Sequence, residues 1–300
     1  DIEITRNINA LPNQYLNTDN SRTAAMEANT AFLNGAVANP FAGLLPGTSF
    51  NNPTIARNQL LRPYPQFADI RTTNNDGKSW YNSAQVSVQR RFSRGYTLGL
   101  SYTYSHWEQA TEYLNPADPE PTRMISDLDV PHRLTVSGIW ELPFGKGRRF
   151  ASDASGFLNG LIGGWQIQGV YTYQTGFPVP FGTFNANTGV TSGDLFYNGG
   201  DIAIDAPTTD AWFNTGAFTS ILSGTSTAAT PVNHLRTFPY RHDEVRRDSI
   251  NSIDLSLIKD IQLNGDMRLQ LRAEFINAFN SPYFPNPVVG ATSSTFGQIT

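Results

Sequence analysis

The residues able to do chemistry sit in the irregular parts of this chain. Gly145-Lys146-Gly147-Arg148-Arg149 joins basic side chains to glycines, as a phosphate cradle does. It lacks the Gly-x4-Gly-Lys-Ser/Thr spacing of a P-loop and reads as a solvated basic turn, with anionic lipid headgroups as a second contact. Three acidic groups carry metal-ligating atoms: His242-Asp243-Glu244, then Asp127, Asp129 and His132, then Asp194, Asp201 and Asp205. None has zinc or EF-hand spacing, and loop solvation or turn bonding accounts for them; a loop calcium site is not legible from spacing. Asp118 and Glu120 form a carboxylate pair, but within a Pro-rich loop that gives no sign of a cleft. No Gly-x-Ser-x-Gly elbow or His-Glu-x-x-His helix occurs. The absence of cysteine removes disulfides, thiolate metal sites and Cys nucleophiles. No catalytic, metal or cofactor-binding residue is assigned, and the chain is not read as an enzyme.

Binding is the chemistry that remains. The long irregular stretch 177–251 holds Phe196, Tyr197, Trp212, Phe213 and Tyr240 among Asn and Gly. Such rings suit contact with a glycan or peptide ligand; the alternative is that they pack the loop upon itself.

The elements that must position these loops are long strands. From Tyr96 to Trp107 the side chains alternate strictly. Tyr96, Leu98, Leu100, Tyr102 and Tyr104 fall on one face, and small polar residues fall on the other, because successive strand residues point to opposite sides. Five more segments repeat the pattern: Trp80 to Phe92, His132 to Leu142, Trp165 to Thr175, Ser252 to Leu263 and Met267 to Asn277. Ser93-Arg94-Gly95 and Asn264-Gly265-Asp266 read as tight three-residue turns. Residues 1–79 read as loop with a short helix within Ser21 to Asn34, 80–277 as six main strands, and 278–300 as a loop leading to a final strand that is not in the sequence. Asp1 to Ile4 reads as the end of a strand already under way.

Strand length, loop asymmetry and aromatic placement then separate membrane barrel from soluble sheet. The strands run to 10 residues or more, whereas soluble strands average about 5 or 6 and a tilted membrane strand needs about 9 to 11. The two tight turns fall on one side and most long loops on the other, as outer-membrane barrels place periplasmic turns and extracellular loops; the 143–164 connection should then also be periplasmic, and it is longer than that rule prefers. Trp80, Trp107, Trp140 and Trp165 lie near strand ends, where an interfacial girdle would stand. The expected fold is all-β: an antiparallel meander forming part of a large transmembrane β-barrel with long extracellular loops. Leu98, Leu100, Tyr102, Tyr104, Val136, Ile167, Tyr171, Leu255, Leu257, Leu269 and Leu271 are expected to face lipid. Arg91, Arg133, Glu141, Asp254, Arg268, Arg272 and Glu274 are expected to face a wet lumen, where charge is cheap. Lys259 and Arg90 break the apolar face near strand ends, where long side chains snorkel. Charged residues are only 15% of the 300 and the net charge is −4, which argues against a nucleic-acid partner.

An ordered series of short motifs resembles the C-terminal barrel half of TonB-dependent outer-membrane receptors, in particular the Oar-like, carboxypeptidase-regulatory-like-domain-containing group. It runs through Ile4-Thr5-Arg6-Asn7-Ile8-Asn9, Trp80-Tyr81-Asn82, Val88-Gln89-Arg90-Arg91-Phe92-Ser93-Arg94-Gly95 and Asp129-Val130-Pro131-His132-Arg133. It continues with Leu142-Pro143-Phe144-Gly145-Lys146-Gly147-Arg148, Gly163-Gly164-Trp165-Gln166, Thr175-Gly176-Phe177-Pro178, Trp212-Phe213-Asn214 and Arg272-Ala273-Glu274-Phe275-Ile276-Asn277-Ala278-Phe279-Asn280. The resemblance implies a bacterial outer-membrane location, a barrel of about 22 strands with a plug, and energised uptake of an unidentified ligand through the TonB complex. Plug, TonB box and N-terminal extension have no counterpart among these residues, so a fragment is expected. Two further classes stay open: a surface adhesion or structural barrel without uptake, and a secreted carbohydrate-binding β-sandwich.

Overall fold

The computed structural model describes residues 2–185, 189–192, 194–219, 231–263 and 266–300. In chain order the strands are β1 (Ile2–Asn7), β2 (Ala36–Ala38), β3 (Thr54–Ala56), β4 (Arg71–Ser93), β5 (Tyr96–Ala110), β6 (Met124–Ile125) and β7 (His132–Glu141). They continue as β8 (Trp165–Gln174), β9 (Pro178–Pro180), β10 (Thr183–Asn185), β11 (Val190–Ser192), β12 (Arg241–Arg246), β13 (Ile250–Gln262) and β14 (Arg268–Phe275). The α-helices among the described residues are α1 (Ala24–Asn34), α2 (Arg57–Leu60) and α3 (Gly156–Ile162).

One antiparallel sheet dominates, in the order β1-β4-β5-β7-β8-β13-β14. Each wall strand pairs with the next in sequence, so the topology is a meander, and β6 adds a short rung on β5. The sheet does not close. The remaining pairs, β2–β3, β9–β12 and β10–β11, have two strands each. None is a second layer able to cover the apolar wall, so a sandwich is not what forms.

The six alternating segments all appear as wall strands. β4 departs most from expectation: it begins at Arg71 instead of Trp80. Its first residues are too polar to alternate visibly, yet Arg71, Thr72, Thr73, Asn74 and Gly77 pair with β1. The β4–β5 turn holds two residues, not three. Ser93 pairs with Tyr96, and Arg94 and Gly95 both take positive φ, 57° and 85°, the geometry of a type I′ hairpin. In the second predicted turn, Asn264 and Gly265 lie outside the described residues.

Segment 8–70 is more ordered than its composition implies. Thr23 caps α1 by accepting from the Met26 N–H, as an N-cap hydroxyl should. Asn9 is fully buried, and its amide donates to the carbonyls of Tyr64, Phe67 and Ala68 at 2.9, 2.9 and 2.6 Å while accepting from the Tyr64 N–H. Asn39 does the same for Phe50, Asn52 and Phe41. Asparagine side chains here satisfy backbone groups that no ladder reaches.

Candidate functional site

Cross-strand register assembles the wall into rows. Leu100, Val136, Tyr171 and Ile253 form one continuous row, and Leu98, Gly138, Gly169, Leu255 and Phe275 form the next. Tyr102 joins Leu134 and Tyr173; Trp140 joins Ile167, Leu257 and Ala273; Lys259 joins Trp165 and Leu271; Ile261 joins Leu269; Tyr104 sits opposite Ala84 and His132. All eleven apolar residues named above therefore share one face. Of these, Tyr104 and Leu271 are at least half exposed, as are Val86 and Trp140 on the same face.

The opposite face is polar. Arg133 lies level with Gln174, and Glu141 with Gln166, Ile258 and Arg272. Asp254 lies level with Val170 and Ser137, Glu274 with Ser256, and Arg268 with Gln262. Arg91 joins them beside the turn: a cleft of about 470 Å³ on this face is lined by Arg91, Gln89, Ser137, Gln168, Asp254 and Ser256 among others. Charges here pair loosely. Arg272 lies 3.3 Å from Glu274, Arg268 3.9 Å from Asp260, and Arg148 2.9 Å from Glu141.

Two details depart from the expected girdle. Trp107 stands on the polar face, its indole donating to the Ser79 hydroxyl at 2.7 Å and its ring edge-on to Tyr81. Trp80, Trp140 and Trp165 stand on the apolar face. Lys259 does not reach water. It is buried, its ammonium donating to the Gly163 carbonyl and lying over the Trp165 ring. Arg90 lies over the Tyr96 ring, 4.1 Å from its centre.

The long connections other than the one between β7 and β8 meet at one end of the wall and build a cap. Phe181, Phe213, Phe218, Phe238 and Phe296 form its aromatic centre, with Val179 packed among them and Phe181 edge-on to Phe213 and Phe238 at 5.1 and 5.3 Å. Phe196, Phe213 and Tyr240 are buried, while Tyr197 and Trp212 are half-buried. The aromatic loop thus packs its own rings. Burial alone would leave a ligand little of Phe196, Phe213 or Tyr240 to touch.

Three arginines fasten this cap, and spacing did not reveal them. Fully buried Arg236 donates to the carbonyls of Phe238 and Phe181, faces Asp194 at 3.5 Å and lies over the Tyr240 ring. Its backbone exchanges two bonds with Asn115. Arg241 donates to the Ile125 carbonyl at 2.9 Å and to Glu112 at 2.7 Å. Arg246 reaches Asp129 at 2.7 Å, and Asp129, fully buried, also accepts the Trp107 N–H at 2.6 Å. Burial lowers the pKa of the Arg236 guanidinium, opposed by Asp194 and Tyr240, and burial pushes the Tyr240 hydroxyl above its ordinary range. The only signal in the sequence was basic residues inside an aromatic-rich loop.

The other acidic groups serve similar ends. Asp194 accepts from His234, His132 bonds the Tyr102 hydroxyl, and Asp118 accepts from Asn13 and Asn115. His242, Asp243 and Glu244 hold ligand-type atoms within 4.8 Å of one another on β12, with Asp243 and Glu244 exposed.

A family model, described as the outer membrane beta barrel domain, matches residues 2–300. The chain belongs to that family. Its barrel sheet is the meander described above, and its place is the bacterial outer membrane. No curated protein and no solved structure matches the chain. For an outer-membrane barrel domain, the surrounding lipid is a partner in its own right.

Proposed function

We propose that this barrel domain is part of a TonB-dependent transporter that takes up an extracellular ligand. Its apolar face meets hydrocarbon, and its polar face, with Arg91, Arg133, Glu141, Asp254, Arg268, Arg272 and Glu274, lines the conduit. The observation that carries this is the polar face itself. Seven charged side chains on one uncovered sheet face would cost several kcal/mol each in a dry core, but little beside water. Among the described residues, the outer edges of β4 and β14 lack partners along most of their length, and hydrocarbon does not tolerate unpaired edges; further strands would close the conduit, and a plug within it would couple to TonB. The ordered receptor-like motifs support the same assignment. Catalysis has no part in it.

The test is association of the full-length protein, in detergent, with the periplasmic domain of TonB. Specific binding that is lost on deleting the receptor's TonB-contact segment supports uptake. A detergent-extracted barrel that does not bind TonB, from cells whose surface adhesion depends on it, would replace uptake by adhesion.

A further inference from the structure

The connection between β7 and β8 is too long for an ordinary periplasmic turn, and it is oddly greasy. In α3, Phe157 is 87% exposed and Leu161 63% exposed, and Phe144 and Phe150 nearby are also open. Lys146, Arg148 and Arg149 are exposed among them. The segment is nevertheless tied down. The Lys146 N–H donates to the Asn159 side chain at 2.6 Å. The Trp165 indole donates to the Leu161 carbonyl at 2.9 Å, and Lys259 donates to the Gly163 carbonyl. Trp165 and Lys259 both belong to the apolar face, so the end of α3 is anchored on that side of the wall. Two rows along the same face, Gly138 and Gly169 pair directly and floor an apolar groove of about 540 Å³, lined by Leu98, Trp140, Ile167, Tyr171 and Leu255.

We propose that residues 143–164 form a foot that binds anionic phospholipid of the periplasmic leaflet. Phe157 and Leu161 enter the boundary between headgroups and acyl chains, Lys146 and Arg149 take the phosphate, and an acyl chain fills the groove over Gly138 and Gly169. Aromatic and aliphatic side chains beside lysine and arginine are the composition that holds a segment in the interface plane, and basic residues near an anionic surface each add to the attraction. The proposal rests on the apolar face meeting lipid, and its test separates the two.

Full-length protein is reconstituted in vesicles of phosphatidylethanolamine with equal phosphatidylglycerol and phosphatidylcholine. Lipids retained after detergent extraction are then counted by native mass spectrometry. Wild type should retain phosphatidylglycerol over phosphatidylcholine, and K146Q/R149Q should lose that preference by about five-fold per charge at low salt. F157N/L161N should retain less lipid of both kinds. Equal retention of the two lipids by wild type, or an unchanged preference in K146Q/R149Q, overturns the foot. Quenching of tryptophan fluorescence by lipid brominated near the headgroup end of its chains, measured in F157N/L161N, reports the girdle residues Trp80 and Trp140 of the wall; without it, the hydrocarbon assignment of the apolar face fails, whatever the foot does.

Discussion

Val136 and Phe181 are both apolar residues of this chain, and they are stabilised differently. Val136 is flanked by Leu100 and Tyr171 along one row of a single-layer sheet. Phe181 has no solvent exposure and touches Phe213, Phe218 and Phe238. In the wall, backbone pairing sets the structure and the apolar side chains look outward. In the cap, side chains set the structure: rings fill the centre and arginines bind loop carbonyls that no ladder satisfies. A membrane barrel obeys the usual inside–outside rule only where it leaves the membrane.

Mutation should expose this difference most strongly in the cap. Phe181→Ala should destabilise the cap by about 3–5 kcal/mol, seen as faster proteolysis of the loops while the wall keeps its β-sheet circular dichroism. Asp129→Asn removes the fully buried carboxylate that pairs with half-buried Arg246 and should cost about 3 kcal/mol, read by the same digestion. Equal loss of wall and cap in either variant would make them one cooperative unit.

The two faces of the wall can be compared on adjacent residues. Val136→Arg puts charge on the apolar face and should cost about 2–4 kcal/mol near mid-depth, measured by urea unfolding in lipid vesicles. Thr135→Arg, on the polar face, should cost well under half of that by the same measurement. Equal costs would erase the distinction between lipid and lumen.

Tyr240 offers a pH test confined to the cap. Burial raises its pKa, so the unfolded cap releases this proton at a lower pH than the folded cap. Its contribution is therefore complete below about pH 10 and declines above it, by up to ~1.4 kcal/mol per pH unit. Alkaline loop proteolysis should steepen above that pH in wild type but less in Tyr240→Phe. The smallest effect belongs to the wall's hairpin. Arg94→Asn better suits the left-handed backbone there and should raise stability by about 0.5–1 kcal/mol in urea unfolding.

The wall was legible because a period of two survives in any strand with unlike faces, as from Leu98 to Tyr104. Where both faces are polar, as from Arg71 to Ser79, the period vanishes, and the start of β4 went unread. The cap was legible only as composition. Phe181, Phe213, Phe238 and Phe296 meet across long stretches of chain, and nothing local marks which ring finds which. Arg236, Arg241 and Arg246 each likewise make a long-range bond, to a residue more than fifty positions away. Asn9 and Asn39 read as loop composition, yet they hold their loops by bonds only a structure displays.

The overlong β4 has a consequence for what reaches this protein from outside. Beyond Trp80, residues 71–79 continue for about 30 Å of strand at ~3.3 Å per residue, braced by β1 for most of that length. Even with a steep tilt, this two-stranded edge rises roughly 20 Å beyond the level of Trp80, beside a cap that packs directly on the wall's end through Asp129 and Trp107. Antibodies, phage or ligands arriving from the medium would therefore meet the β1–β4 edge and the cap beside it before they reach the membrane plane.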